Sequence, residues 1–227
     1  MGNPENPETI ILKNKFYPKG LTEGMVYNYY SKVKSLILNQ TQGKDLMIVI
    51  MVDVNKPIIK RKIKGKPIIL TPSNYDDINI GRTISIYSTM KFYENHFIID
   101  IDADTFEKSK QPTLDVYHSL NGSGFVSDIS IRYTGKTGFH IDCELKRKTK
   151  IDSARILFEH YLKSKLGNKY TIRPSRVKGT PNIDLWASNK LNGAYITLNS
   201  LSIIGLRCMN LMPTQLNSFK QENAKII

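Results

Sequence analysis

Phe97-Ile98-Ile99-Asp100-Ile101-Asp102-Ala103-Asp104 is the stretch whose reading decides the fold. It is a short, Ile-rich apolar run with acids at alternate positions. As a strand it sends successive side chains to opposite faces. Phe97, Ile99 and Ile101 then share one face, and Asp100 and Asp102 share the other, ~6.6 Å apart along the chain. As a helix it would separate the two acids by about 200°, and they could not converge. Length and composition favour the strand. Two carboxylates fixed on one face of a buried strand suit a hard cation such as Mg²⁺ or Mn²⁺, which takes oxygen ligands. Asp104 falls past the strand end and reads as a turn residue.

Around this strand the pattern mixes helices with alternating strands. A helix is expected from the cap Thr22 to about Leu38, with Val26, Tyr29, Tyr30, Val33, Leu36 and Ile37 on its apolar face. Leu46 to Val52 reads as a buried strand and 53–57 as a turn. Pro67 to Leu70 and Arg82 to Tyr87 are further strand candidates. A short helix is expected over Pro112 to Leu120. Asp128 to Thr134 and Phe139 to Leu145 both alternate, and Gly135-Lys136-Thr137-Gly138 joins them as the tip of a β-hairpin. Asp152 is the expected cap of a helix ending at Gly167, with Ala154, Leu157, Phe158, Tyr161, Leu162 and Leu166 as its buried stripe. His160 lies off that stripe and reads as a surface residue. Asn182 to Trp186, Ala194 to Leu198 and Ser202 to Leu211 read as strands, and residues from Ser218 as a loose polar tail.

The chain of 227 residues carries 33 Lys+Arg against 20 Asp+Glu, a net +13. So large a charge favours a polyanionic partner, nucleic acid or an anionic membrane surface. The cations are densest at Lys60, Arg61, Lys62, Lys64 and Lys66, a ribbon read as a phosphate contact, although lysines also guard solvated edge strands. Arg173, Arg176 and Lys178 form a second basic segment. There is no apolar run long enough to span a bilayer, and the polar N-terminus does not read as a signal peptide. The two cysteines, Cys143 and Cys208, form no zinc pattern, so a reduced, cytoplasmic setting is expected, nucleoid-associated in a prokaryote.

The chemistry-bearing set is therefore Asp100 and Asp102 on one strand, the Thr134–His140 hairpin, then Asp184 and Arg207 downstream. With a nucleoside triphosphate as substrate each part has a task. Asp100, Asp102 and Asp184 would hold two divalent metals, one activating a primer 3′-hydroxyl and one neutralising the leaving pyrophosphate. The hairpin tip would offer backbone N–H groups, a hydroxyl and Lys136 to the phosphates, His140 a donor, and Arg207 further positive charge. Taken singly, His140 reads as a structural histidine, Lys136 as a solvated turn lysine and Asp184 as a turn carboxylate. Gly135-Lys136-Thr137 is not a Walker A loop, because strands rather than a strand and a helix flank it.

This set resembles the archaeo-eukaryotic primase, or primase-polymerase, superfamily. Asp100-Ile101-Asp102 is similar to its first motif, Thr134-Gly135-Lys136-Thr137-Gly138-Phe139-His140 to its second, with Thr in place of Ser, and Ile183-Asp184 to its third. Tyr17-Pro18-Lys19-Gly20-Leu21-Thr22, the following Tyr29-Tyr30 helix, and Ser202 to Leu216 resemble the polymerase domains of bacterial end-joining DNA ligases. The resemblance implies an α+β primase-polymerase fold, a mixed and mostly antiparallel sheet with an RRM-like catalytic half and flanking helices. It implies one catalytic domain over 14–217, after a polar lead 1–13 and before a tail 218–227. It implies a template-dependent nucleotidyltransferase that adds (ribo)nucleotides to a primer 3′-OH by two-metal catalysis with Mg²⁺ or Mn²⁺. Asp100, Asp102 and Asp184 would be its catalytic metal ligands, and Thr134, Gly135, Lys136, Thr137, Gly138, His140 and Arg207 its nucleotide contacts. Partners would be a DNA template-primer or gapped and broken ends, nucleoside triphosphates and a separate ligase or helicase, with no membrane and a monomeric state. Gap filling in DNA repair is the expected setting. A replicative, plasmid or viral primase is the alternative, since Ile101-Asp102-Ala103-Asp104 also resembles the first motif of archaeal replicative primases. A catalytically silent nucleic-acid-binding protein is the alternative of another class.

Overall fold

The computed structural model describes residues 20–53, 56–78, 82–91, 93–172 and 180–226. In chain order the longer helices are α1 (Glu23–Lys32), α2 (Lys34–Thr41), α3 (Phe106–Leu120) and α4 (Ile151–Leu166). The strands are β1 (Leu46–Asp53), β2 (Lys56–Lys60), β3 (Lys62–Ile63), β4 (Lys66–Pro67), β5 (Thr83–Thr89) and β6 (Tyr93–Asp102). They continue with β7 (Val126–Tyr133), β8 (Phe139–Lys150), β9 (Thr171–Ile172), β10 (Asn182–Asp184), β11 (Ala194–Ile196) and β12 (Met209–Leu211). The chain forms two compact units, the first from the described parts of 1–88, 196–208 and 224–227, the second from 89–195 and 209–223. Among the described residues no helix is long and apolar enough to cross a membrane.

In the first unit, α1 starts where its cap predicts: the Thr22 hydroxyl accepts from the Met25 N–H, a contact that stabilises a helix by ~1 kcal/mol. The single helix expected to Leu38 is broken at Val33 into α1 and α2. Val26, Tyr30 and Ile37 are buried, whereas Leu36 is exposed. They pack with Leu46, Ile48 and Ile50 of β1 and Ile84 and Ile86 of β5. Tyr30 ties the core together: its hydroxyl donates to the Ile84 carbonyl and accepts from the Leu201 N–H. The sheet runs β11-β5-β1-β2, with antiparallel β1–β5 and β1–β2 pairs. Beyond β2 the basic ribbon folds into the small β3–β4 hairpin, turned through Lys64 and Gly65, both at positive φ. Pro67 to Leu70, expected as a strand, contributes only β4 and a bridge from Ile68 to Leu46.

The second unit holds a six-stranded sheet in the order β12-β7-β8-β6-β10-β9, antiparallel except for the β10–β9 pair. One face is apolar and covered by helices. Phe97 of β6 stacks on Phe158 of α4 at 4.2 Å between centroids, and Phe106 of α3 packs on Tyr133 and Phe139. The opposite face is polar and carries the candidate site. Pro112, expected as the first residue of a helix, lies inside α3, which begins at Phe106 under the Thr105 cap. The buried Pro112 therefore interrupts the helical hydrogen bonds. Asp152 is not a cap: it sits in the first turn of α4 and pairs with Arg155. Leu157 of the expected stripe is exposed, as is His160. The expected loose tail is packed, with Phe219 buried against Phe106 and Tyr133.

Candidate active site

The strand alternation places Asp100 and Asp102 on the polar face of β6, both half-buried, while Phe97, Ile99 and Ile101 are fully buried opposite. Register then brings in residues distant in sequence. Asp184 of β10 stands directly opposite Asp100, and His140 of β8 stands opposite Asp100 on its other side. Arg132 of β7 stands opposite His140. Directly opposed residues share a face, with Cβ atoms ~5 Å apart. One row across four strands thus reads Asp184, Asp100, His140, Arg132.

Asp184 is held by the turn that follows it. Its Oδ1 accepts the Trp186 and Ala187 N–H groups at 2.6 and 2.9 Å, whereas its Oδ2 takes part in neither bond. After Asp184 the chain leaves β6, and Asn189 returns to complete the strand edge. The Asn189 Oδ1 accepts the Ile98 N–H at 3.0 Å, while its Nδ2 donates to the Ile98 and Leu185 carbonyls. Sequence reasoning missed this fully buried amide, which no local pattern marks.

His140 is buried, and that burial, with the charges of Arg132 and His96, lowers its pKa to about 3. The imidazole is therefore neutral, and its Nε2 at 3.6 Å from Asp100 Oδ1 is a polar approach rather than an ion pair. Its Nδ1 meets no hydrogen-bond partner among the described residues. Arg132 instead pairs with Asp142, also buried. The alternation of β7 and β8 put both residues on the polar face, but nothing in the sequence marked that face as buried there.

The β7–β8 hairpin carries Thr134 to Gly138 as expected. Thr134 Oγ1 donates to the Gly138 carbonyl at 3.0 Å, and Tyr133 Oη to the Lys136 carbonyl at 2.7 Å. Lys136 itself is exposed, and Gly135 has φ +82°. Gly138 lies against the end of β6: a Cβ there would meet the Ile101 carbonyl oxygen at 2.5 Å and Asp102 Oδ1 at 3.0 Å. Glycine is what lets the hairpin tip approach Asp102 so closely.

The remaining expected residues belong to the first unit or to segments outside the described residues. Lys60, Arg61, Lys62 and Lys64 are exposed in the first unit. Arg207 also belongs to that unit, where its N–H donates to the Ala224 carbonyl. Arg173, Arg176 and Lys178, and Tyr17 to Lys19, lie outside the described residues. Among the described residues no three His, Cys, Asp or Glu side chains are gathered to hold a metal ion. The candidate donors Asp100, Asp102 and Asp184 are all carboxylates, the oxygen ligands that hard cations take.

No protein-family model matches the chain, and neither does any curated protein. Among solved structures the chain is similar to the polymerase domain from Mycobacterium tuberculosis ligase D in complex with DNA. That likeness has a TM-score of 0.77 at 12% identity, over 94% of this chain and 92% of that one. It shows the fold: the chain has the mixed α+β architecture of that polymerase domain.

Proposed function

We propose that the protein is a template-dependent nucleotidyltransferase that extends a DNA or RNA strand from its 3′-hydroxyl. The observation that carries this reading is the register that sets Asp184 beside Asp100, on the face that also holds Asp102 and the hairpin. Asp100, Asp102 and the Oδ2 of Asp184 would hold divalent cations, Mg²⁺ or Mn²⁺. When bound, such ions lower the pKa of an attacking hydroxyl and neutralise a triphosphate. The chain's own residues do the rest. The hairpin tip takes phosphate oxygens on its backbone amides and Lys136. His140 is neutral, so its imidazole serves as a hydrogen-bonding group without adding charge beside Asp100. The exposed Lys60, Arg61, Lys62 and Lys64 suit the phosphates of a template strand. The DNA bound in the structurally similar polymerase domain supports DNA as the template.

Gap filling during DNA repair is the setting that this likeness favours. Primer extension on gapped DNA with Mn²⁺ and labelled nucleotides tests the reading. Incorporation that follows the template base is expected, and DNA binding without incorporation would identify a silent binding protein instead. Synthesis in the same assay without primer would mark a primase.

A further inference from the structure

The hairpin tip is tethered through three successive carbonyls. That of Lys136 accepts from Tyr133 Oη and from Gln221 Nε2, and the same Gln221 amide also donates to Tyr133 Oη at 3.0 Å. That of Thr137 lies 2.9 Å from Ser109 Oγ, whose single proton it shares with the Phe106 carbonyl at 2.6 Å. That of Gly138 accepts from the Thr134 hydroxyl and N–H at 3.0 and 3.3 Å. A trans peptide is planar, so each carbonyl and the N–H that follows it point in opposite directions. Pulling the Lys136 and Thr137 carbonyls toward Gln221 and Ser109 turns the Thr137 and Gly138 N–H groups the other way. Successive amides turned to one side form an anion-binding concavity. The tip that carries them lies against Asp102.

We infer that Gln221 and Ser109 are positioning residues that orient the hairpin tip so that the Thr137 and Gly138 amides face the triphosphate of the incoming nucleotide. The inference rests on the reading of the hairpin as the phosphate-binding element. Gln221 is carried to the tip by a fixed segment rather than a loose one. Phe219 packs on Tyr133 at 5.1 Å between centroids, and the buried Lys110 donates to the Asn217 carbonyl at 3.3 Å. Ser109 is fully buried in α3. The contacts come from α3 and from the far end of the chain, and both converge on one turn.

Gln221→Ala, Gln221→Glu and Ser109→Ala test it, with inorganic tripolyphosphate as the calorimetric probe alongside nucleotide KM, kcat, DNA affinity and Tm. Gln221→Ala should weaken tripolyphosphate about fivefold and raise the nucleotide KM by the same factor, the effect of one hydrogen bond, with DNA affinity unchanged. Gln221→Glu should weaken it further, because a carboxylate faces the Lys136 carbonyl where a donor stood. Ser109→Ala removes the Thr137 tether together with the hydroxyl's contact to the Phe106 carbonyl within α3 and should act in the same direction, which keeps the test valid if the Gln221 variants misfold. Folded variants that bind tripolyphosphate as the wild type does, with only Tm lowered, would overturn the positioning role. A wild-type protein that binds no tripolyphosphate would instead overturn the hairpin as a phosphate site, and the inference with it.

Discussion

Asp184 lies directly across the β6–β10 ladder from Asp100, so two carboxylates far apart in the chain stand side by side on one sheet face. The pairing makes their separation a property of the sheet, not of flexible loops. Asp100→Ala or Asp102→Ala should reduce nucleotide incorporation about a thousandfold or more, the scale of losing several kcal/mol of charge stabilisation. Asp184→Ala should do the same and also loosen the turn it caps. Primer extension by folded variants is the measurement, and wild-type rates in either β6 variant would refute the proposed mechanism.

Gly138→Ala should be damaging despite the small change. The added methyl would sit 2.5 Å from the Ile101 carbonyl oxygen and 3.0 Å from Asp102 Oδ1. Either the tip or Asp102 must move, at a cost of about 1–3 kcal/mol. Urea denaturation should show the loss of stability, and incorporation should fall with it.

Arg132 and Asp142 form a buried ion pair on the same face. Removing one partner strands a charge, so Asp142→Ala should cost about 3–5 kcal/mol. The double variant Arg132→Met with Asp142→Leu should recover most of that, because no unpaired charge remains. Chemical denaturation of the three proteins distinguishes the cases, and a double variant as unstable as the single would contradict this account.

His140 predicts a pH dependence of stability in the metal-free protein. Its folded pKa, about 3, lies below the ordinary 6.5. Between those values the unfolded chain binds a proton that the folded chain does not. The contribution is complete above pH 6.5 and is lost as pH falls toward 3, at up to about 1.4 kcal/mol per pH unit. His140→Gln should flatten that slope in denaturation titrations. An unchanged slope would mean that His140 titrates normally.

Much of this was legible in the sequence where the signal is local. The alternation of 97–102 gave the acidic face, the Thr22 hydroxyl marked the start of α1, and Gly167 marked the end of α4. Failures came where another contact, local or distant, outweighed the preference of a single residue. Pro112 suits a helix start, yet Thr105 caps α3 about two turns earlier and the proline is buried mid-helix. Asp152 looks like a cap but engages Arg155. The alternation of 128–134 and 139–145 set Arg132 and Asp142 opposite the apolar face, and only the pairing of β7 with β8 shows them buried together. Asn189 and Gln221 had no legible role, since their partners, Ile98 and Lys136, are joined to them only by the fold.

The edge position of β2 among the described residues has a colloidal consequence. All five of its residues are exposed, and Ile58 and Ile59 sit there between Lys56 and Lys60. An exposed apolar edge strand is a template for pairing with another molecule, and flanking lysines oppose that by like-charge repulsion. Salt shortens the reach of that repulsion, from about 10 Å at 0.1 M to about 3 Å at 1 M. Self-association should therefore rise with ionic strength in light scattering, and Ile59→Lys should suppress it, so that the molecule is most dispersed in dilute buffer.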